Sequence, residues 1–284
     1  MALRYRILNV FTVPGDRLSG NPLCVFEDGS ALATKQMQAL ARQLNLSETT
    51  FILPSERATA RVRIFTPTFE MPFAGHPTLG TAHVVRSLAA VGDAVTLELA
   101  SGVVPVTAEG DRWTLVAPRA PTSSPVSARS EVAHMVGLDA SELAGDPLWI
   151  DTGVAQLVIP VVSVEAVRRA TPVAALIAQH GIRPGGSEAM AYLWAREEDA
   201  PDRIVVRFFF TQDGAIVEDP ATGSACANLG GYLLETGVAA PFAATLRQGD
   251  AVQRPSRLDL RVDAQRRIHV SGGVVELGAG HLEI

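Results

Sequence analysis

Two cysteines in 284 residues, Cys24 and Cys226, are too few for a disulfide framework and too far apart for a metal-type spacing. That usage predicts a reduced, cytoplasmic protein. Positive charge is also scarce. Lys and Arg number 24 against 30 Asp and Glu, a formal charge of −6, and no basic cluster offsets it. Nucleic acid and anionic membranes are therefore not expected as partners. No apolar run is long enough to span a bilayer. Arg4 and Arg6 interrupt the opening MALRYRILNVF, which reads as a first strand and not as a secretory signal. No GxGxxG or Walker-type spacing is present, so a nucleotide cofactor has no support. His76 and His83 share a helix face but have no third ligand near them, so no metal is expected either.

Apolar side chains are plentiful. At 47% hydrophobic the chain can build one large or two medium domains with real cores. Two stretches organise it, Pro72–His83 (PFAGHPTLGTAH) and Glu218–Asn228 (EDPATGSACAN). Each follows a β-type run, Arg61–Thr66 or Arg203–Thr211, and each enters a helix whose first turns are small and uncharged. From Gly75 the first charged side chain is Arg86, and from Ala221 it is Glu235. A surface helix carries a charged face, so these two are predicted to be wrapped by protein. Their free N–H groups and positive dipole ends would suit a carboxylate if both ends faced one gap.

The other elements repeat in the same order. Strands are predicted at Tyr5–Phe11 and Leu23–Phe26, a helix capped by Thr34 over Lys35–Leu44 and ended by Asn45, a strand at Ser47–Leu53, and a meander through Val116. Pro118–Ser130, rich in Pro and Ser, reads as a linker. In the second half Trp149–Gly153 and Ala155–Pro160, a helix at Glu165–Gln179, a strand at Ser187–Trp194, the Thr222–Leu234 helix and a further meander answer the first. The expectation is an α+β fold of two duplicated domains, each a curved, mostly antiparallel sheet around one buried helix. The domains are 1–117 and 131–279, with 118–130 as linker and a C-terminal strand near 280–284 that could return to the first. A ligand site is expected in the cleft between the copies.

Several polar residues could do chemistry in this frame. Glu48 falls in a half-buried strand, where a carboxyl is costly unless bonded or protonated and where burial suits an acid/base near neutral pH. A surface glutamate is the plain alternative, and spacing nominates Glu188 equally. His76, after Gly75 and before Pro77, lies at a helix start that favours neutral imidazole. It could donate to substrate, pass a proton, or only cap. Asp219 at the mouth of the second helix could cap it or grip a substrate group. Gly223 and Ser224 offer donors, or simply start the helix. Cys24 and Cys226 read as inert packing, and Trp113, Trp149 and Trp194 as core.

The motifs SGNPLCVF (19–26), NLSETTF (45–51), RIFTPTFEMPFAGHPTLGTAH (63–83) and EDPATGSACANLGGYL (218–233) resemble the phenazine-biosynthesis PhzF-like proteins, relatives of diaminopimelate epimerase. The blocks are long, spread over most of the chain and in the family's order. The resemblance implies a diaminopimelate-epimerase-like fold, a cofactor-free active site and a homodimer. It also implies an isomerase or epimerase of a small carboxylic acid, with Glu48 as the acid/base. Gly75, His76, Asp219, Gly223 and Ser224 would then surround the substrate. The epimerase relatives use two cysteines as bases, and here neither cysteine stands in the loops entering the buried helices, so a two-thiol racemase is disfavoured. The rival class is a non-catalytic small-acid binding or regulatory protein using the same cleft.

Overall fold

The computed structural model describes residues 2–126, 128–186, 188–212 and 214–284. The chain forms two compact units, one of Met1–Val116 with Ser271–Ile284 and one of Ala117–Val270. The first contains β1 (Ala2–Thr12), β2 (Asn21–Phe26), α1 (Thr34–Leu44), β3 (Glu48–Leu53), β4 (Ala60–Phe65), β5 (Glu70–Met71), α2 (Gly75–Ala89), β6 (Ala94–Leu99), β7 (Gly102–Glu109) and β8 (Arg112–Val116). The second contains β9 (Thr122–Pro125), α3 (Arg129–Met135), β10 (Leu148–Asp151), β11 (Ala155–Pro160), α4 (Val164–Arg169), α5 (Ala174–His180), β12 (Met190–Glu197), β13 (Ala200–Gln212), β14 (Ala215–Asp219), α6 (Gly223–Glu235), β15 (Phe242–Gln248) and β16 (Ser256–Val262). The last strand, β17 (Ile268–Glu283), begins in the second unit and continues into the first.

In the first unit the ladder runs β1–β2 antiparallel, β2–β3 parallel, β3–β4 antiparallel, β4–β6 parallel, then β6–β7–β8 antiparallel. The end of the chain closes it, because β17 pairs with both β8 and β1. In the second unit β10–β11, β12–β13 and β15–β16 are antiparallel and β11–β12 and β13–β15 parallel, the same sequence of pairings. Here β9 pairs with β10, as the end of β17 pairs with β1. The fold is the expected duplicated α+β architecture.

The central helices are α2 and α6, buried over most of their length. Their lack of charge follows from this, since a helix enclosed by sheet has no face on which to carry one. Glycine sets how close α2 comes to the sheet. A Cβ on Gly80 would stand 2.5 Å from Leu23 Cδ2 and 2.9 Å from Val10 Cγ2. Gly80→Ala is therefore expected to cost about 1–3 kcal/mol by overpacking. Urea titration measures it, and an unchanged midpoint would mean that Leu23 moves aside freely.

Register and ion pairing set the correspondence between the copies. Arg63 binds Glu70 and lies over Phe65, as Arg207 binds Glu218 and lies over Phe209. Thr49 stands opposite Phe65 and Ala191 opposite Phe209, so Glu48 corresponds to Met190. Cys24 stands opposite Thr49 and Leu157 opposite Ala191, so Leu23 corresponds to Gln156. Leu8 faces Leu23 and Ile150 faces Gln156, which matches Val10 with Thr152. The helices start at Gly75 and Gly223, so His76 matches Ser224 and Gly80 matches Asn228.

Local expectations needed correction. Glu188 is not the counterpart of Glu48: it precedes β12 in a loop, and burial raises its pKa. Ser187, expected to open that strand, lies outside the described residues. The helix expected at Glu165–Gln179 is two short helices, α4 and α5, because Pro172 disfavours helical backbone at Thr171. Segment 118–130, apart from Ser127, is structured, with β9 paired to β10 and the start of α3. The returning terminal segment begins at Ser271. Thr34 is the first helical residue and not the cap; the Ala33 N–H is bonded instead by the Gln36 side chain. Asn45 ends the helix in the left-handed conformation, φ 51°. Pro77 is third in α2, where its missing N–H would have had no intrahelical partner.

Candidate active site

Glu48 opens β3 with its side chain on the face turned towards α2, the face from which Thr50 bonds Thr81 at 2.8 Å. The carboxyl is 15% exposed, and its Oε2 lies 3.5 Å from His76 Nε2. His76 is the second residue of α2 and is itself buried. The Pro22 backbone lies beside its ring, and Nε2 makes no hydrogen bond. In a neutral ring one nitrogen carries the hydrogen and the other a lone pair, so Nε2 can donate to a Glu48 carboxylate or accept from its protonated form. Burial drives the His76 pKa down to about 3, against the opposing effect of the Pro22 backbone. The close pair is thus a carboxyl group beside a neutral imidazole, and not a salt bridge.

This has a consequence for stability. With a folded pKa of about 3 against an ordinary 6.5, the unfolded chain takes up a proton at His76 between those values and the folded chain does not. Stability is accordingly lost as pH falls through that window, by up to about 1.4 kcal/mol per pH unit. Denaturant titrations at pH 7, 5.5 and 4.5 should show a shallower loss for His76→Asn than for the wild type. Parallel losses would mean that the imidazole is protonated in the folded protein.

At the corresponding place in the second unit, Asp219 closes β14 and is 9% exposed. Thr222 Oγ1 donates to its Oδ2 at 2.5 Å. Gln248, fully buried, donates from Nε2 to the Asp219 carbonyl and to Thr222 Oγ1, and accepts from the Thr222 N–H. Asp219 is therefore fastened to the entrance of α6 through its neighbour Thr222. The turn below leaves no slack, since Gly249 has φ +81° and a Cβ there would meet the Arg254 and Pro220 carbonyl oxygens at 2.2 and 2.6 Å. Gly223 is the first residue of α6 and Ser224 the second. Ser224 Oγ accepts a hydrogen bond from Gln156 Nε2 at 3.0 Å.

The structure thus brings Glu48, Gly75 and His76 together in the first unit and Asp219, Gly223 and Ser224 together in the second. Pro22, Gln156 and Gln248 were not among the residues expected at the site. Gln156 had a readable signal, a lone amide inside the apolar strand AQLVIP that must find partners when buried. The thiols are inert: burial pushes Cys24 up to about 12 and Cys226 higher still. His83 accepts from the Trp113 indole N–H, a packing role on the same helix face. Among the described residues no three His, Cys, Asp or Glu side chains are grouped to hold a metal ion, and no helix is long and apolar enough to cross a membrane.

The chain resembles known proteins over nearly its whole length. A family model for phenazine biosynthesis-like proteins (PhzC-PhzF) matches residues 8–280. An uncharacterised isomerase of Pasteurella multocida is 37% identical, over 98% of this chain and 93% of the relative. The trans-2,3-dihydro-3-hydroxyanthranilate isomerase of Pseudomonas aeruginosa is 33% identical, over 92% and 90% of the two chains. Among solved structures, an epimerase predicted in Pseudomonas aeruginosa is 33% identical, with a TM-score of 0.81 over 99% of both chains. A PhzF-family protein of Bacillus anthracis shares the fold over the full length of both chains, with TM-score 0.84 at 22% identity.

Proposed function

The chain belongs to the PhzC-PhzF family of phenazine biosynthesis-like proteins and is an isomerase of it, and from that premise we propose that Glu48 moves a proton between two positions of a small carboxylic acid without a cofactor. The observation that carries the proposal is the pairing of Glu48 with a buried, neutral His76 whose Nε2 lies 3.5 Å from Glu48 Oε2. A neutral imidazole leaves the charge of the carboxylate uncompensated, and its Nε2 can hydrogen-bond the carboxyl in either protonation state, as donor or as acceptor. Glu48 can therefore act as a carboxylate that takes a proton from carbon and holds it beside His76. The first C–H bond breaks as an O–H bond forms, and its electron pair moves into the conjugated system of the substrate. The O–H bond then breaks as a new C–H bond forms. His76 stays neutral throughout.

Gly75 and His76, with Asp219, Gly223 and Ser224, are the proposed substrate-binding groups. The free N–H groups at the starts of α2 and α6 suit an anionic carboxylate, and the hydroxyl of Ser224 adds a side-chain donor. The first acid to test is trans-2,3-dihydro-3-hydroxyanthranilate, named for the Pseudomonas relative. A thermal-shift screen of small cyclic and amino acids extends the search, since a ligand that binds only the folded state raises its midpoint. Hits are then incubated in D2O. Deuterium entering carbon with wild type and not with Glu48→Gln supports the proposal, and equal exchange by both removes Glu48 from the reaction. A cytoplasmic homodimer is proposed on the family resemblance, and sedimentation showing only monomer at micromolar concentration would overturn the dimer.

A further inference from the structure

The residues around the start of α6 form a hydrogen-bond chain that runs in one direction. The Thr152 backbone N–H and its Oγ1 both donate to Asn228 Oδ1, at 3.0 and 2.7 Å. Asn228 Nδ2 donates to the Val154 carbonyl at 2.8 Å and to Gln156 Oε1 at 2.7 Å. Gln156 Nε2 donates to Ser224 Oγ at 3.0 Å. Backbone groups fix the orientation of both amides. A backbone N–H can only donate and a carbonyl can only accept, so Asn228 cannot be turned over without losing both, and Gln156 must present its oxygen to Asn228. Ser224 is left accepting from Gln156, and its own hydrogen must point elsewhere.

The first copy supplies an internal control. The positions of Thr152, Gln156 and Asn228 are occupied there by Val10, Leu23 and Gly80, which pack against one another without a polar atom among their side chains. Helix-to-sheet packing at this place therefore does not require the network. A buried network of three polar side chains is stable only when every member is satisfied, so its presence in one copy calls for a different reason. Its free end is Ser224.

We infer that Gln156, held by Asn228 and Thr152, is a positioning residue that makes the Ser224 hydroxyl a hydrogen-bond donor to the substrate's carboxylate. This rests on Ser224 being a substrate-binding group, as proposed above. The chain of donors polarises each following one, and the arrangement selects an acceptor at Ser224 over a donor such as an ammonium group.

Two measurements test it. Neutron diffraction from deuterated wild-type crystals needs no ligand. The Ser224 deuterium should lie off the line to Gln156, with a deuterium of Gln156 Nε2 on that line, and a Ser224 deuterium directed at Gln156 overturns the inference. The second measurement uses 3-hydroxyanthranilate as probe with Gln156→Glu. A carboxylate at 156 accepts from Ser224 and turns its hydrogen inwards, whereas the protonated acid can donate as the amide did. Relative to wild type at the same pH, affinity should fall at least tenfold at pH 8 and recover to within about threefold at pH 5. Ser224→Ala should lose affinity equally at both. A Gln156→Glu penalty that does not change with pH overturns the inference. Wild-type affinity in Ser224→Ala would instead remove Ser224 from the proposed site, while the neutron map still decides the role of Gln156.

Discussion

Replacing Glu48 by Gln is expected to lower kcat by about 10³-fold or more and to stop deuterium exchange into the substrate, with the fold intact. A positioned acid/base group contributes about 10² to 10⁴ in rate, and the upper part of that range applies because the register places Met190, not a second carboxyl, at the matching position of the other copy. The matching position of the other copy supplies no base to take over. The amide is close in shape to the carboxylic acid and can hydrogen-bond His76 Nε2 as donor or as acceptor. Stability should consequently change by less than about 1 kcal/mol, and binding of an unreactive analogue should change little. Glu48→Asp provides the graded comparison, with the same chemistry withdrawn by one methylene from an environment that cannot follow it. A Glu48→Gln protein with more than a tenth of wild-type kcat would rule out the one-carboxyl mechanism. Loss of analogue binding in parallel with kcat would instead make Glu48 a binding group.

The separation of Glu48 from Glu188 also marks how far the sequence could be read. Both follow a serine ahead of an apolar run, and nothing in the local pattern distinguishes them. Only the ladder does, through the pairing of β12 with β13 and the Arg207–Glu218 landmark. The two central helices were legible because the lack of charge over their first turns is a direct consequence of enclosure. Asn45 was legible as a helix stop because few residues adopt the left-handed conformation readily. The break between α4 and α5 was also present in the sequence, at Pro172, but helical spacing of the apolar residues on either side hid it. The β9 segment was hidden by composition, since Pro and Ser dominate it and its strand character comes from pairing with β10. Side-chain directions were out of reach altogether. That His76 lies beside Pro22 depends on a segment more than fifty residues away in the chain.

The largest loss of stability is expected from Arg207→Met, about 3 kcal/mol, the lower end of the range for removing one partner of a buried ion pair, because this pair is part-buried. Arg207 and Glu218 are 14% and 9% exposed and form a two-bond pair, Nε to Oε1 at 3.0 Å and Nη2 to Oε2 at 2.7 Å. The guanidinium also lies 4.6 Å from the centre of the Phe209 ring. Its Nη1 donates to the carbonyls of Val167, Arg168 and Ala170, which sit at the end of α4 and would otherwise lack a donor there. Methionine can keep the packing on Phe209, but it leaves a carboxylate and those carbonyls unsatisfied. The two losses can be told apart. In Arg207→Met/Glu218→Leu the stranded carboxylate is gone, so about half of the stability should return, and what remains missing measures the carbonyls of α4. Glu218 adjoins Asp219 in β14, with the two side chains on opposite faces of the strand. Arg207→Met should therefore also weaken binding of a substrate analogue, and the double variant should restore binding along with stability. Equilibrium urea unfolding of both variants and wild type measures the stability. A loss below 1 kcal/mol for Arg207→Met would mean that water replaces the guanidinium at little cost. A double variant no more stable than the single one would place the whole effect at the end of α4.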